Sequence, residues 1–475
     1  MVYRGKPSNF CQRCRERRIK CDMLKPACST CLRASQPCSG YRDVNTTRFV
    51  DETVGVVRRY SATSDPARAF DESLDEVALA SFRHHHALEG HENVVCTSVT
   101  TPCLTAAMQC LGLATQATLR RNAKYSQGAR RYYVLSLQEV SAALQTEVTV
   151  TNDEVLLSII MLSCFEAITG TNGKSVAAWS RHVRGTAALI DKRGTEQLAT
   201  AEGRLLFMQA STCLIPACIR GHVRMPDCIQ RLWGCFLTSV DQPENAVYRV
   251  HGACLSVVDV CHDFCHSIGE ANAIIDRCLD LDQKLANAFE DCDETWQYSS
   301  ASVSTPTLSD SSRTSDTKPQ HVYHDPMAVQ LWNSMRSCRL ILYDIMQQAL
   351  RIDAGTSQRL GDFTTQGITS SMQQVGADII ASAPYFLALP ATTRTRQRLE
   401  LTPQLPLYSS RLPLLHTTQG YNWTWHLGLV ARFPAIPREA QRLACSYMKQ
   451  IGTKCGVQQA IYLASTLEES APLVQ

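Results

Sequence analysis

A small cysteine-built head followed by a large all-α body is the fold class this sequence predicts. Three observations point to it: six regularly spaced cysteines near the start, helical apolar periodicity from about residue 70 onward, and no run of alternating strands. At 475 residues the chain exceeds one ordinary domain, because single cores stop growing near roughly 250–300 residues. Hydrophobic residues make up 44% and charged residues 19%, enough apolar material for most of the chain to bury a core.

The six cysteines read Cys11-x2-Cys14-x6-Cys21-x6-Cys28-x2-Cys31-x6-Cys38, the unit C-x2-C-x6-C written twice. No signal-like or membrane-length apolar run is found, which suggests a soluble, intracellular protein with no membrane partner. In a reducing compartment the 22 cysteines are expected as thiols or metal ligands, and only these six are regularly spaced. A structural zinc takes four tetrahedral ligands, so two zinc ions need eight ligand positions and two of six thiolates must bridge. The internal repeat selects equivalent positions, and the first cysteine of each half, Cys11 and Cys28, is the simplest choice. Six free thiols or a redox switch are the alternatives, and neither accounts for the doubled spacing.

Charge is confined to the same end. Residues 1–42 carry ten Lys and Arg against Glu16 and Asp22, a net +8, while the whole chain is only +3, leaving −5 on the remaining 433 residues. Such a basic head is the electrostatic footprint of a nucleic-acid-binding module. The basic residues are also unevenly split between the halves. Arg13, Arg15, Arg17, Arg18 and Lys20 lie in the first, and Arg33 alone lies between Ser29 and Pro37. A short helix starting after Cys11 would put Arg15 and Arg18 on one face, flanked by Arg17 and Lys20, suited to base-edge and phosphate contact together. These five residues are the candidate DNA contacts. The six thiolates and two Zn²⁺ would leave a formal −2 that the same basic residues can offset.

The head resembles the fungal zinc binuclear cluster family, through the doubled C-x2-C-x6-C, the basic stretch from Cys14 to Cys21, Asp22 after the third cysteine and Pro26 in the central loop. The resemblance implies two short helices around two zinc ions per chain, with the first and fourth cysteines bridging. It further implies sequence-specific recognition of a CGG-like triplet in double-stranded DNA, and a nuclear regulator of RNA polymerase II-type genes that recruits the transcription machinery. That family more often has Lys where this chain has Arg18, and the two are not interchangeable at a bidentate contact.

From Asp43 to about Pro66 the composition turns polar and β-branched with no sustained heptad. It reads as a linker, so any homodimer would have to form without a coiled coil. The boundaries predicted are a head over 1–43, a disordered linker over 44–70 and an all-α regulatory body over 71–475. In the body, Thr151 and Glu154 have capping-box spacing ahead of an apolar run stopped by Gly170. Trp179, Val183, Ala187 and Ile190 mark a second helix ended by Lys192, Arg193 and Gly194. Cys278, Leu281, Leu285 and Phe289 repeat the pattern, as do Leu331, Met335, Leu342, Ile345 and Ala349. The stretch at about 298–324 is rich in Ser, Thr, Asp and Pro and is expected to be a disordered loop. The body resembles the same family's helical regulatory domain at Trp179, His182 and Gly185, loosely over 71–295 and again near 425–464.

No catalytic residues are predicted, and the chain is not expected to be an enzyme. Gly170 to Ser175 has the wrong spacing for a phosphate loop, Ile168 standing where glycine is needed. Cys261, His262, Cys265 and His266 lie on one helical stretch without a second ligand pair. His84, His85, His86 and His91 read as a solvated or partly buried helical face, and His182 as a core histidine.

Overall fold

A computed structural model describes residues 10–17, 19–24, 26–38, 72–86, 100–242, 245–268, 270–303, 318–324, 326–352, 365–388 and 418–470. The chain divides into two units, Met1–Val50 and Asp51–Gln475. In the first, α1 (Gln12–Glu16) and α2 (Ser29–Arg33) enclose a core made of cysteine, with Cys11, Cys14, Cys21, Cys28 and Cys31 buried and Phe10 and Cys38 packed beside them.

The second unit is helical throughout, apart from one strand pair among the described residues. Its first block comprises α3 (Glu72–His85), α4 (Pro102–Arg120), α5 (Ala123–Ala143), the single turn α6 (Glu147–Val150), α7 (Asp153–Thr169) and α8 (Gly173–Arg193). Asparagine caps recur: Asn122, Asn152 and Asn172 each accept a backbone N–H from the first turn of α5, α7 and α8. The cap of α7 is therefore Asn152 rather than the expected Thr151. Glu154 accepts from the Thr101 N–H at 2.6 Å, joining the start of α7 to the start of α4. Gly170 ends α7 as expected.

Helix α7 is buried on nearly every side, from Val155 to Ile168. An apolar stretch without a polar face belongs at the centre of a large core, and α7 packs against α4, α5, α8 and α9 (Ala201–Gly221), as well as two helices from the far end of the chain, α15 (Thr418–Arg432) and α17 (Gln458–Ser470). Helix α8 presents Trp179, Val183, Ala187 and Ile190 inward as the periodicity predicts, and Gly194 closes it at φ +61°. Arg193 in its last turn is buried and paired with Asp153 of α7, so it does more than complement the helix end. Helices α3 and α4 cross closely at Gly112, where a Cβ would lie 2.0 Å from the Ala78 carbonyl oxygen; any side chain there would force them apart.

The chain continues through α10 (Asp227–Thr238), α11 (Ala246–Cys265) and α12 (Ala271–Ala286) to a two-stranded antiparallel sheet, β1 (Tyr298–Val303) with β2 (Lys318–Tyr323), in register Tyr298 opposite Tyr323. This corrects the reading of about 298–324 as a disordered loop: its two ends pair, while residues 304–317 lie outside the described residues. The linker expected over 44–70 also lies outside them.

The reason lies in side-chain contacts with a later helix. Tyr298, His321 and Tyr323 cluster with Trp332 on α13 (Pro326–Ile352), around the guanidinium of Arg336. Arg336 is buried, donates to the Tyr323 hydroxyl at 2.7 Å, and lies over the Tyr298 and Trp332 rings at 5.0 and 5.2 Å. Averaged composition hid these aromatic anchors behind the serines. Helices α14 (Thr365–Ala388), α15, α16 (Arg438–Lys454) and α17 complete the unit. No described helix is long and apolar enough to cross a membrane.

Candidate metal centre and nucleic-acid interface

Helix α1 starts directly after Cys11 and carries Cys14, while α2 starts directly after Cys28 and carries Cys31. The repeated spacing thus places equivalent thiols at equivalent points of two helical turns. Cys28 also caps α2, its Sγ accepting the Cys31 N–H at 3.4 Å.

The thiols gather into two quartets, Cys11, Cys14, Cys21 and Cys28, and Cys11, Cys28, Cys31 and Cys38, the sulfurs of each lying within 4.8 Å of one another. Cys11 and Cys28 belong to both. Sulfur separations are 3.8 Å for Cys11 to Cys28, 3.7 Å for Cys11 to Cys31 and 3.8 Å for Cys14 to Cys28. A tetrahedron with Zn–S bonds of about 2.3 Å has edges of roughly 3.8 Å, so the spacing suits zinc in each quartet.

Burial acts against ionisation of Cys11 and Cys14. Desolvation first, with neighbouring thiols, pushes Cys14 up to about 11 and raises Cys11 further. Desolvation opposes ionisation of Cys28 too, but the Cys31 N–H and adjacent thiols outweigh it and draw Cys28 down to about 6.

Two polar bridges tie the halves together. The Asp22 carboxylate accepts the Ser29 N–H at 3.1 Å at the start of α2, and the Thr30 hydroxyl donates to the Lys20 carbonyl at 3.0 Å. The bonds from Ser29 hold Asp22 below its ordinary value. The Asp following the third cysteine signals the first bridge in sequence; Thr30 carries no comparable signal.

The predicted DNA contacts divide. Arg17 and Lys20 are exposed. Arg15 lies on α1, and its side chain is outside the described residues, as is all of Arg18. Helix α1 ends at Glu16, and just beyond it the Arg17 N–H still donates to the Arg13 carbonyl at 3.1 Å. Arg13 is half-buried, and its Nη1 lies 3.7 Å from the sulfur of Cys31. Sequence reasoning grouped it with the other basic residues as a DNA contact, having no means to see which way it turns.

Residues 10–48 match the model of the fungal Zn(2)-Cys(6) binuclear cluster domain. The head is a fungal Zn(2)-Cys(6) binuclear cluster domain. Such a domain binds two zinc ions, in agreement with two quartets that share two thiols. Residues 71–219 match the fungal specific transcription factor domain, a narrower span than the resemblance over 71–295 and 425–464. An uncharacterized protein of Emericella nidulans is 30% identical over 117 residues, 25% of this chain and 24% of its own, so the chain spans about a quarter of that relative's length. No solved structure matches the chain.

Among the described residues the two head quartets are the groups able to hold a metal ion. In the body, Cys265 lies 3.1 Å from His222 Nδ1, and His262 is engaged with Arg224 and Asp263, so the Cys261 to His266 stretch converges on no common point. Gly170 to Ser175 is the junction of α7 and α8, with Asn172 as cap. His86 is buried and bonded to Thr115 at 2.7 Å. His91 lies outside the described residues. His182 bonds the Tyr133 hydroxyl at 3.0 Å, and Tyr133 in turn donates to Glu166 at 2.5 Å.

Proposed function

We propose that this chain is a sequence-specific DNA-binding transcription regulator acting in the nucleus on RNA polymerase II-type genes. The sharing of Cys11 and Cys28 between two thiol quartets, beside the exposed Arg17 and Lys20, carries the reading. Cys11 and Cys28 bridge two zinc ions, while Cys14 and Cys21 complete one site and Cys31 and Cys38 the other. The zinc supplies folding free energy that so short a segment cannot obtain from burial.

Arg15, Arg17, Arg18 and Lys20 meet DNA. A CGG-like triplet is the favoured site, because arginine reads guanine through paired bonds to O6 and N7. The cluster occupies about 1–43, residues 44–70 connect it, and the helical body over 71–475 regulates it and meets the transcription machinery.

Titrating the full zinc-loaded chain against duplexes containing one triplet, two triplets or none, at two salt concentrations, tests this. Preference for triplet duplexes at both salts supports it. Equal affinity for all duplexes removes sequence-specific reading, and no affinity removes DNA binding. Comparing one with two triplets reports whether a second copy joins.

A further inference from the structure

Among the described basic side chains of the first half, Arg13 is set apart by where its charge points. It lies on α1 between Cys11 and Cys14, and its guanidinium crosses to the other half of the head, 3.7 Å from Cys31 Sγ. That sulfur is in turn 3.7 Å from Cys11 Sγ and belongs to the second quartet only. Arg17 and Lys20 are exposed, whereas Arg13 is half-buried.

We propose that Arg13 is a positioning residue of the metal cluster, holding the second quartet through an N–H···S bond from its guanidinium to Cys31, and is not a DNA contact. The inference rests on the zinc-cluster reading and deepens it. Six thiolates around two Zn²⁺ leave excess negative charge, and a sulfur serving one metal keeps more of it than a bridging sulfur, whose charge two cations share. Cys31 is such a terminal sulfur. A permanently charged guanidinium is suited to offset it, because arginine does not lose its proton in proteins and offers several donors in a fixed fork. Partners bonded to a metal's ligands fix ligand orientation, and removing them typically weakens metal binding by about 10–100-fold. The contact also runs from the first half to the second. It therefore braces the cluster at its sulfur end, while Asp22 to Ser29 and Thr30 to Lys20 brace the backbone.

The test uses the full chain loaded with zinc and follows zinc transfer to a chromophoric chelator in wild type, Arg13→Met and Arg13→Lys. Methionine keeps an unbranched apolar stem and removes the charge and donors. We expect Arg13→Met to release one of its two zinc ions about tenfold faster than wild type, or to retain only one at the outset. Arg13→Lys, which keeps the charge without the fork, should fall between. The slope of log DNA affinity against log salt should be unchanged in Arg13→Lys.

In Arg13→Met, zinc release at the wild-type rate overturns the proposal. So does a salt slope reduced by about one unit with zinc retention intact, which would make Arg13 a phosphate contact. Wild type taking up fewer than two zinc ions would overturn the cluster reading itself, and with it this inference; that failure is visible before any substitution is made.

Discussion

The head and the body solve the same problem with different materials. The head buries cysteine sulfur and little else; Ile19, Met23, Leu24 and Leu32 all remain exposed. The body buries leucine, isoleucine, valine and aromatic side chains by the dozen, with α7 enclosed on nearly every side. Below about 40 residues a chain usually needs a metal, a disulfide or a partner to fold, whereas several hundred residues can rely on burial alone. The same residue type thus has two meanings in one protein. Cysteine is a metal ligand in the head, whereas most of the described body cysteines are buried as small apolar filler; Cys254 and Cys338, for example, lie 3.2 Å apart in the interior between α11 and α13.

Removing zinc breaks this comparison most sharply. Structural zinc contributes on the order of 10–16 kcal/mol in finger peptides. Chelation should therefore unfold the head and abolish DNA binding, while leaving most far-ultraviolet helical signal and the body's melting transition in place. A body that melts together with the chelated head would show that its stability depends on metal. Within the head, Cys28→Ser should lose both zinc ions, because a bridging sulfur serves two sites, while Cys38→Ser should lose one; metal analysis distinguishes them. Loss of one ion in each variant would refute bridging by Cys28.

How much of this could be read in advance also differs between the two units. Ligand counting needs only spacing and coordination number, and the internal repeat pointed to Cys11 and Cys28 as the shared pair; spacing did not assign which other thiols join them in each quartet. The positions of α7 and α8 followed from apolar period, with the cap misplaced by one residue because Thr151 and Asn152 are both good capping residues. Long-range pairing was not legible. Nothing local announces that Glu154 accepts from Thr101, that α17 returns to α7, or that Arg336 gathers Tyr298 and Tyr323 into a strand pair. The direction of Arg13 was invisible for the same reason. Spacing gives the residue's place on a turn, but the partner lies 18 positions away.

In the body, the counterpart to zinc removal is a cavity. Trp179→Ala should destabilise the body by about 3–5 kcal/mol, since Trp179 is buried against Tyr421 of α15 at 4.8 Å between ring centres. Zinc content should not change. Denaturant unfolding with parallel metal analysis measures both, and loss of zinc in this variant would mean that the two units do not fold independently.

Acid should act on the body through buried histidines. Desolvation lowers His251 to about 4, and desolvation with the nearby Arg336 charge lowers His426 to about 3. The unfolded chain titrates near 6.5, so between roughly pH 6.5 and these lower values it binds more protons than the folded one, and stability falls as pH falls. Full expression is on the order of 3–5 kcal/mol per histidine. Replacing His426 by Gln, which can still bond Ser337, should flatten the decline below pH 6.5. An unchanged pH profile would show that His426 contributes none of it.

The smallest effect concerns the exposed charge on the head. Lys20 is exposed, and its carbonyl, not its side chain, accepts the bond from Thr30, so Lys20→Ala removes a charge while leaving that bridge in place. A lysine meeting phosphate contributes to all sequences alike. Its loss should weaken binding to triplet and random duplexes equally and reduce the slope of log affinity against log salt by about one unit, with both zinc ions retained. Arg18→Ala should instead cost about 1–3 kcal/mol on the triplet and much less on random DNA, if it reads a base edge. Measured side by side, the two variants separate positioning from reading. Were Arg18→Ala to weaken both duplexes alike, as Lys20→Ala is expected to do, base recognition would have to come from another residue of the head.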